Sequence, residues 1–196
     1  MRPTLFAAGV LLCGLAIPVA ASSLSDPAMT ALINFDGGPA EPRWVAVNDG
    51  VMGGRSQGGP AIADGHLQFR GTLSLANNGG FASVRTAGQD FDFSAAAAVV
   101  LRVRGDGRPY ELRLATDARH RGITVSYGGA FATRSGEWIE ARVPLASLQP
   151  TAHGERLSGP PLNPGRVREI GLLIADGREG PFALDVDWIR LDPPTP

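Results

Sequence analysis

The sequence predicts an all-β protein, two antiparallel sheets packed face to face as a β-sandwich of jelly-roll type. Three observations predict it. Short runs alternate apolar and polar side chains with period two, the pattern of half-buried strands. No run beyond the N-terminal leader sustains an apolar stripe of helical period, so sheet has to cover sheet. Gly, Pro, Asn and Asp separate the runs, with 26 glycines and 16 prolines in 196 residues. A closed barrel is the alternative arrangement of the same strands.

Read in order, the chain divides into a leader (1–21), a linker (22–31), a sandwich domain (32–192) and a tail (193–196). In the leader, Arg2 precedes an apolar run from Leu5 to Ile17, and Pro18 and the small residues Val19-Ala20-Ala21 follow. That order is the charged start, apolar middle and small-residue exit of a cleavable signal peptide, with cleavage expected after Ala21. The run falls short of the ~20 apolar residues that span a bilayer. It also lacks the Arg- and Ser-rich amphipathic character of a mitochondrial transit peptide. The expectation is a periplasmic or secreted protein, soluble after signal cleavage. The only cysteine, Cys13, lies inside the leader, so the exported domain forms no disulfide and depends on its core. Leu12 stands before Cys13 where a lipoprotein site needs a small residue. Roughly 175 remaining residues suffice for one domain, since a chain near that size buries about 70 % of its unfolded surface.

The predicted strands follow one another through the domain: Leu32 to Asp36, Trp44 to Asn48, His66 to Arg70 with Leu73 and Leu75 in phase, Gly80 to Arg85, and Val99 to Arg104. After these come Tyr110 to Leu114, Ile123 to Tyr127, Trp138 to Val143, Ile170 to Ala175 and Phe182 to Leu191. Asn78-Gly79 and Asp106-Gly107 tolerate the positive φ that hairpin turns require, so each predicts a hairpin between its neighbouring runs. Gln149 to Arg166 carries four prolines and reads as a long surface loop. Trp44, Trp138 and Trp188 all sit in strand-like runs, where core packing accounts for them.

Composition excludes several function classes. All 18 basic residues are arginine, against 19 acidic ones, for a formal net charge of −1. Removing Arg2 with the leader would leave −2. That balance offers no basic footprint for nucleic acid. Without lysine there is no Walker A phosphate loop and no Schiff-base nucleophile.

The densest candidate is "VNDGVMGGRSQGG", residues 47–59. It contains Gly-x-Ser-x-Gly around Ser56, but a nucleophile elbow turns from strand into helix. Here Gly58-Gly59-Pro60 follows, so the resemblance to that motif is coincidental. A phosphate cradle fails for the same want of a helix N-terminus, although exposed Arg55 could meet an anion. The stretch reads instead as a shaped loop. Asp49-Gly50 opens a turn, Gly53 and Gly54 allow tight backbone, and Trp44, Val47 and Met52 anchor it to the core. A second cluster, Asn77-Asn78-Gly79-Gly80-Phe81, places two side-chain amides at a strand end. Together with Asn48, Asp49, Arg55 and Ser56, these amides are candidate binding groups.

Arg85, Arg102, Arg104 and Arg113 are expected to share the polar side of one sheet with Gln68 and Glu111. The plain reading is a solvated face, and the functional one is a binding face, where guanidinium groups bind carboxylates and hydroxyls bidentately. Asp185 and Asp187 point to the same strand face about 7 Å apart. The plain reading is a solvated pair, and the functional ones are paired carboxylates or a structural calcium. His66, His120 and His153 show no metal-ligand spacing. No cofactor, metal or catalytic residue is expected.

Five blocks resemble one family in its own order: "WVAVNDGVMGGRSQGG" (44–59), "FRGTLSLANNGGFASVRT" (69–86), "VLRVRGDGRPYELRL" (100–114), "SGEWIEARVPLASLQPT" (135–151) and "IGLLIADGREGPFALDVDWIRL" (170–191). They look like the complex I intermediate-associated protein 30 family. The resemblance implies a galactose-binding-like jelly roll without enzymatic activity, since mitochondrial members act as assembly chaperones of NADH:ubiquinone oxidoreductase. Positions of the family pattern present here include Trp44, Asn48, Asp49, Gly50, Met52, Gly53, Gly54, Ser56, Asn78, Gly79, Gly80, Phe81, Ser83 and Arg85. The leader departs from that role, because export puts the chain across the membrane from the hydrophilic arm. The resulting expectation is a non-catalytic, assembly-factor-like module in the envelope with a protein partner. A carbohydrate-binding module is the alternative.

Overall fold

The structure, a computed structural model, describes residues 31–38 and 41–194. The predicted signal peptide and all but the last residue of the linker lie outside them. Among the described residues twelve strands form two sheets. They are β1 (Arg43–Ala46), β2 (Gln57–Ala63), β3 (His66–Leu73), β4 (Ala82–Ala87), β5 (Ala98–Gly105) and β6 (Tyr110–His120). The second half supplies β7 (Ile123–Phe131), β8 (Trp138–Pro144), β9 (Gln149–Ala152), β10 (Glu155–Arg156), β11 (Val167–Ile174) and β12 (Gly180–Asp192). The seven-stranded sheet runs β1-β4-β11-β6-β7-β9-β10 and the five-stranded sheet runs β2-β3-β12-β5-β8.

Alternation puts one face of each strand inside. Leu67 and Phe69 of β3, Val99, Leu101 and Val103 of β5, and Leu184 and Val186 of β12 meet Val84, Leu112, Leu114, Ile170, Leu172 and Tyr127 from the opposite sheet. Phe69 joins the layers, with its ring 4.9 Å from Phe182 and 6.4 Å from Tyr110, both edge-on. Rings of this size bury the area that a disulfide-free sandwich depends on. At one end Arg108 is buried with Asp176, two hydrogen bonds of 2.9 and 2.6 Å holding the pair. Its guanidinium also donates to the carbonyls of Arg178 and Pro181. The Asp176 carboxyl is held below its ordinary range first by this arginine.

Several expectations are corrected. Asn78-Gly79 and Asp106-Gly107 do not close hairpins. Each carries the chain from the five-stranded to the seven-stranded sheet, β3 to β4 and β5 to β6. The true two-residue hairpins are Asp64-Gly65, Arg121-Gly122 and His153-Gly154, where both residues have positive φ (55° and 72°, 50° and 84°, 48° and 81°). The end of the expected loop, Gln57 to Gly59, belongs to edge strand β2, which runs on to Ala63, and Pro60 is tolerated there because an edge needs no donor on its free side. The long loop from Gln149 contains β9 and β10. Leu32 to Asp36 makes only an isolated bridge, Ile33 to Ile189, and Phe35 at φ 56° ends its extension. Of the three tryptophans only Trp44 is in the core, whereas Trp138 and Trp188 are half-buried.

Candidate functional site

Both glycine-rich stretches meet at one rim of the sandwich, around Asp49. Beyond β1 the chain still follows β4, Val47 N–H donating to Ser83 O over 2.9 Å. Asn48 then braces the departure by donating to Gly58 O over 2.8 Å and accepting from Ser83 N–H. Asp49 starts a 3-10 turn, Asp49–Met52, which Gly53 ends at φ 90° in the left-handed region. The Asp49 side chain is fully buried. Its Oδ2 accepts from Ser56 Oγ over 2.5 Å and from the amides of Gly80 and Phe81 over 2.7 and 3.3 Å. Its Oδ1 accepts from the Ser56 amide over 2.8 Å. A Cβ on Gly54 would overlap the Asp49 carboxyl, and one on Gly79 would stand 2.5 Å from Oδ2. These glycines are therefore the room the carboxylate occupies.

Burial pushes the Asp49 carboxyl upward, but the donors from Ser56, Gly80 and Phe81 outweigh it and hold it below its ordinary value of 3.8. Asp49 is an anion folded into backbone. Ser56 Oγ gives its proton to this carboxylate and accepts the Ser74 amide over 3.0 Å. A strand, β2, follows Ser56 directly, in place of the helix that an elbow needs. Asn77 ties the two loops at their tips by donating to Gly53 O over 3.2 Å.

The clamp displays what the sequence expected it to hide. Met52 was expected to anchor the loop, yet it is 63 % exposed, and Val51 beside it is 74 % exposed. Both sit on the 3-10 turn, whose only buried residue is Asp49. Leu75, a further exposed apolar residue, stands on the adjoining loop, its amide held by Glu179 over 2.9 Å. Gly50, Arg55 and Asn78 are exposed around them, and Phe81 is half-buried.

The expected single arginine face is two faces. Arg85 and Arg113 lie on the seven-stranded sheet in one cross-strand row with Gly171 between them. Arg113 is engaged by Glu111, Ser126 and Thr151 at 3.0, 3.2 and 2.7 Å. Glu169, missed in the sequence, stands 3.5 Å from Arg85 without a hydrogen bond; burial raises its carboxyl against the pull of Arg85 and Arg113. Arg102 and Arg104 belong to the five-stranded sheet together with Gln68.

On that second face Asp185 is buried under two guanidiniums, Arg70 Nη2 at 2.8 Å and Arg104 Nη2 at 2.8 Å. Burial raises its carboxyl, and the two arginines more than reverse the shift. Asp187 pairs with Arg102 at 3.2 Å and lies 3.6 Å from His66 Nε2. Trp138 comes from edge strand β8, yet its ring lies 5.0 Å from that of His66 on β3 and 4.8 Å from the Arg104 guanidinium. The indole therefore reaches across the sheet. Sequence distance hid this cluster, since Arg70 and Asp185 are 115 positions apart. No group of three or more His, Cys, Asp or Glu side chains suited to a metal ion occurs among the described residues.

Two sheets joined by inter-sheet crossovers, with shaped loops at one rim, define a jelly-roll domain. Solved structures agree on the fold. A family 11 carbohydrate-binding module of a Clostridium thermocellum cellulosomal cellulase superposes with a TM-score of 0.61 at 15 % identity, over 83 % of this chain and 94 % of that one. The Clostridium thermocellum module in complex with a β-1,3-1,4-mixed-linked tetrasaccharide gives 0.60 at 14 %, over 83 % and 95 %. The sequence identifies the family. The model of complex I intermediate-associated protein 30 matches residues 33–186, and the chain belongs to that family. It is 27 % identical to the mitochondrial protein of that name from Mus musculus over 75 % of this chain, and 31 % identical to the one from Drosophila melanogaster over 52 %. The matches span 51 % and 36 % of those relatives' lengths.

Proposed function

We propose that this chain is a non-catalytic binding module of assembly-factor type, exported to the cell envelope, which captures a protein partner on its glycine-loop rim. The observation that carries the reading is the Asp49 clamp. A buried carboxylate with four donors fixes a loop whose tip holds Val51 and Met52 in water. Exposed apolar side chains on a rigid tip bind at low entropic cost, because the loop is ordered before the partner arrives. Met is among the residue types enriched at protein interfaces. The family's name points to an assembling respiratory complex. The leader around Arg2 and Leu5 to Ile17 supports an envelope location, and hence an envelope partner.

The test is site-specific photo-crosslinking in cells. A photoreactive residue at Met52 is expected to trap one defined partner in the periplasmic fraction, and Val51→Asp in the same chain should abolish the adduct. A crosslinker at exposed Ile62, on edge strand β2, serves as the control. Adducts no stronger from Met52 than from Ile62, or a chain confined to the cytoplasm, would overturn the proposal.

A further inference from the structure

We propose that the outer face of the five-stranded sheet is a separate binding surface, and that its ligand is a carboxylate-bearing oligosaccharide of the uronic-acid type. Depth carries the argument. Five arginines, Arg70, Arg102, Arg104, Arg142 and Arg190, pair with four carboxylates on this face. The pairs are layered. Asp185 is 8 % exposed, whereas its partners Arg70 and Arg104 are 53 % and 40 % exposed. Asp187 likewise lies deeper than Arg102, and Asp192 deeper than Arg142; only Arg190–Glu140 is reversed. Three of the four carboxylates thus form a floor, and above them the groups a ligand meets first are guanidiniums. On a chain of net charge −1, this is a local cationic surface, complementary to a ligand's carboxylates and suited to bind them bidentately.

Two further features select a sugar over an acidic peptide. Trp138, Arg104, Asp185 and Gln68 lie in one cross-strand row, so the indole starts beside the arginine pair and extends over it. Arg104 and Arg102 approach its ring at 4.8 and 5.8 Å, which fixes a half-buried aromatic surface by cation–π contact. A pyranose ring presents an apolar C–H face to such a surface. Gln68 and Glu140 add acceptors beside the guanidiniums. Sugar hydroxyls donate to these acceptors, whereas the side chains of an acidic peptide have nothing to donate.

The experiment uses the purified chain at low ionic strength, where charge contacts are least screened, and follows tryptophan fluorescence and calorimetry. The probes are tri-galacturonic acid, the neutral galactose trisaccharide and hexaglutamate. Saturable binding of the uronate is expected, with the neutral sugar at least about tenfold weaker. Trp138→Ala should weaken uronate binding about tenfold or more. Arg102→Gln, which leaves the Asp185 pair intact, should do the same at an unchanged melting temperature. Absence of saturation by the uronate, equal binding of the neutral sugar, hexaglutamate binding as tightly as the uronate, or full affinity in both variants would each overturn the proposal.

Discussion

The loop rim and the five-stranded face each bury one aspartate, and they replace its lost water by opposite means. Asp49 is solvated by neutral dipoles, three backbone amides and a hydroxyl. Asp185 is solvated by the charged tips of two long side chains. The amides around Asp49 belong to both glycine loops, so binding the carboxylate and shaping the loops are one event. The guanidiniums around Asp185 stand on strands whose ladders and apolar inner faces are already complete. Removing the first anion should therefore unmake structure, and removing the second should alter a surface.

The largest expected effect comes from Asp49→Ala. It leaves the amides of Ser56, Gly80 and Phe81 without their acceptor, while the Ser56 hydroxyl keeps Ser74 O at 3.1 Å, and it costs about 3 kcal/mol or more. For a domain of this size that is a fall in melting temperature of roughly 6–12 °C. Asp49→Asn should cost less, because its carbonyl oxygen can still accept where Oδ2 does. The sign with pH follows from the direction of the shift. The folded carboxyl titrates below its ordinary 3.8, so the unfolded chain binds more protons in acid. The stabilisation is present above that value and is lost as pH falls through the lower, folded one. Thermal melts between pH 7 and pH 3 should show an acid slope that Asp49→Asn reduces. A slope unchanged in the variant would detach the clamp from folding.

Asp185→Asn comes next, at about 1 kcal/mol, because solvent screens a pair whose arginines are this exposed. Half or more of that effect should vanish in about 1 M salt, where the screening length drops to about 3 Å. The Asp49 penalty should persist, since neutral donors in a buried site do not respond to salt. Melting both variants in low and high salt is the direct measure of the contrast.

The same contrast explains what was legible in the sequence. Alternation in Val99 to Arg104 and Tyr110 to Leu114 reveals strands because burial is set residue by residue. The glycine loops were readable as shaped backbone, since Asn78 and Gly53 adopt the positive φ their chemistry allows. Pairing was not readable. Asn78-Gly79 satisfies the requirements of a hairpin and of a crossover between sheets equally well, and the choice rests with partners far along the chain. Trp138 was expected in the core, although its phase with Glu140 and Arg142 places it on the outer face of β8. Asp49 carried a turn signal, but nothing local said that Ser56, Gly80 and Phe81 would converge on it. Glu169 gave no signal at all, since it follows Arg168 just ahead of the predicted run Ile170 to Ala175 and stands at a register shift of β11.

Glu169 supplies the third case, an anion drawn from water with arginines nearby and no hydrogen bond. Its folded carboxyl is raised above the ordinary 4.5, so at neutral pH the charge opposes folding, and the opposition fades as pH falls through the raised value. Glu169→Gln should stabilise the chain at pH 7 by up to about 1 kcal/mol, with the gain gone near pH 4. A loss at pH 7 would mean that Arg85 compensates the charge fully, placing this site with Asp185.

The smallest effect on stability should come from the rim's own tip. Met52 is mostly in water, so Met52→Asp removes little buried surface and should change stability by no more than about 0.5 kcal/mol. The clamp below it stays intact, because no Asp49 donor belongs to Met52. A chain with a wild-type melt that has lost its partner would separate the two halves of the rim, Asp49 holding the shape and Met52 using it. If the same substitution lowered the melting temperature by several degrees, the tip would be packing against the fold in solution. Its exposure would then no longer mark a docking surface.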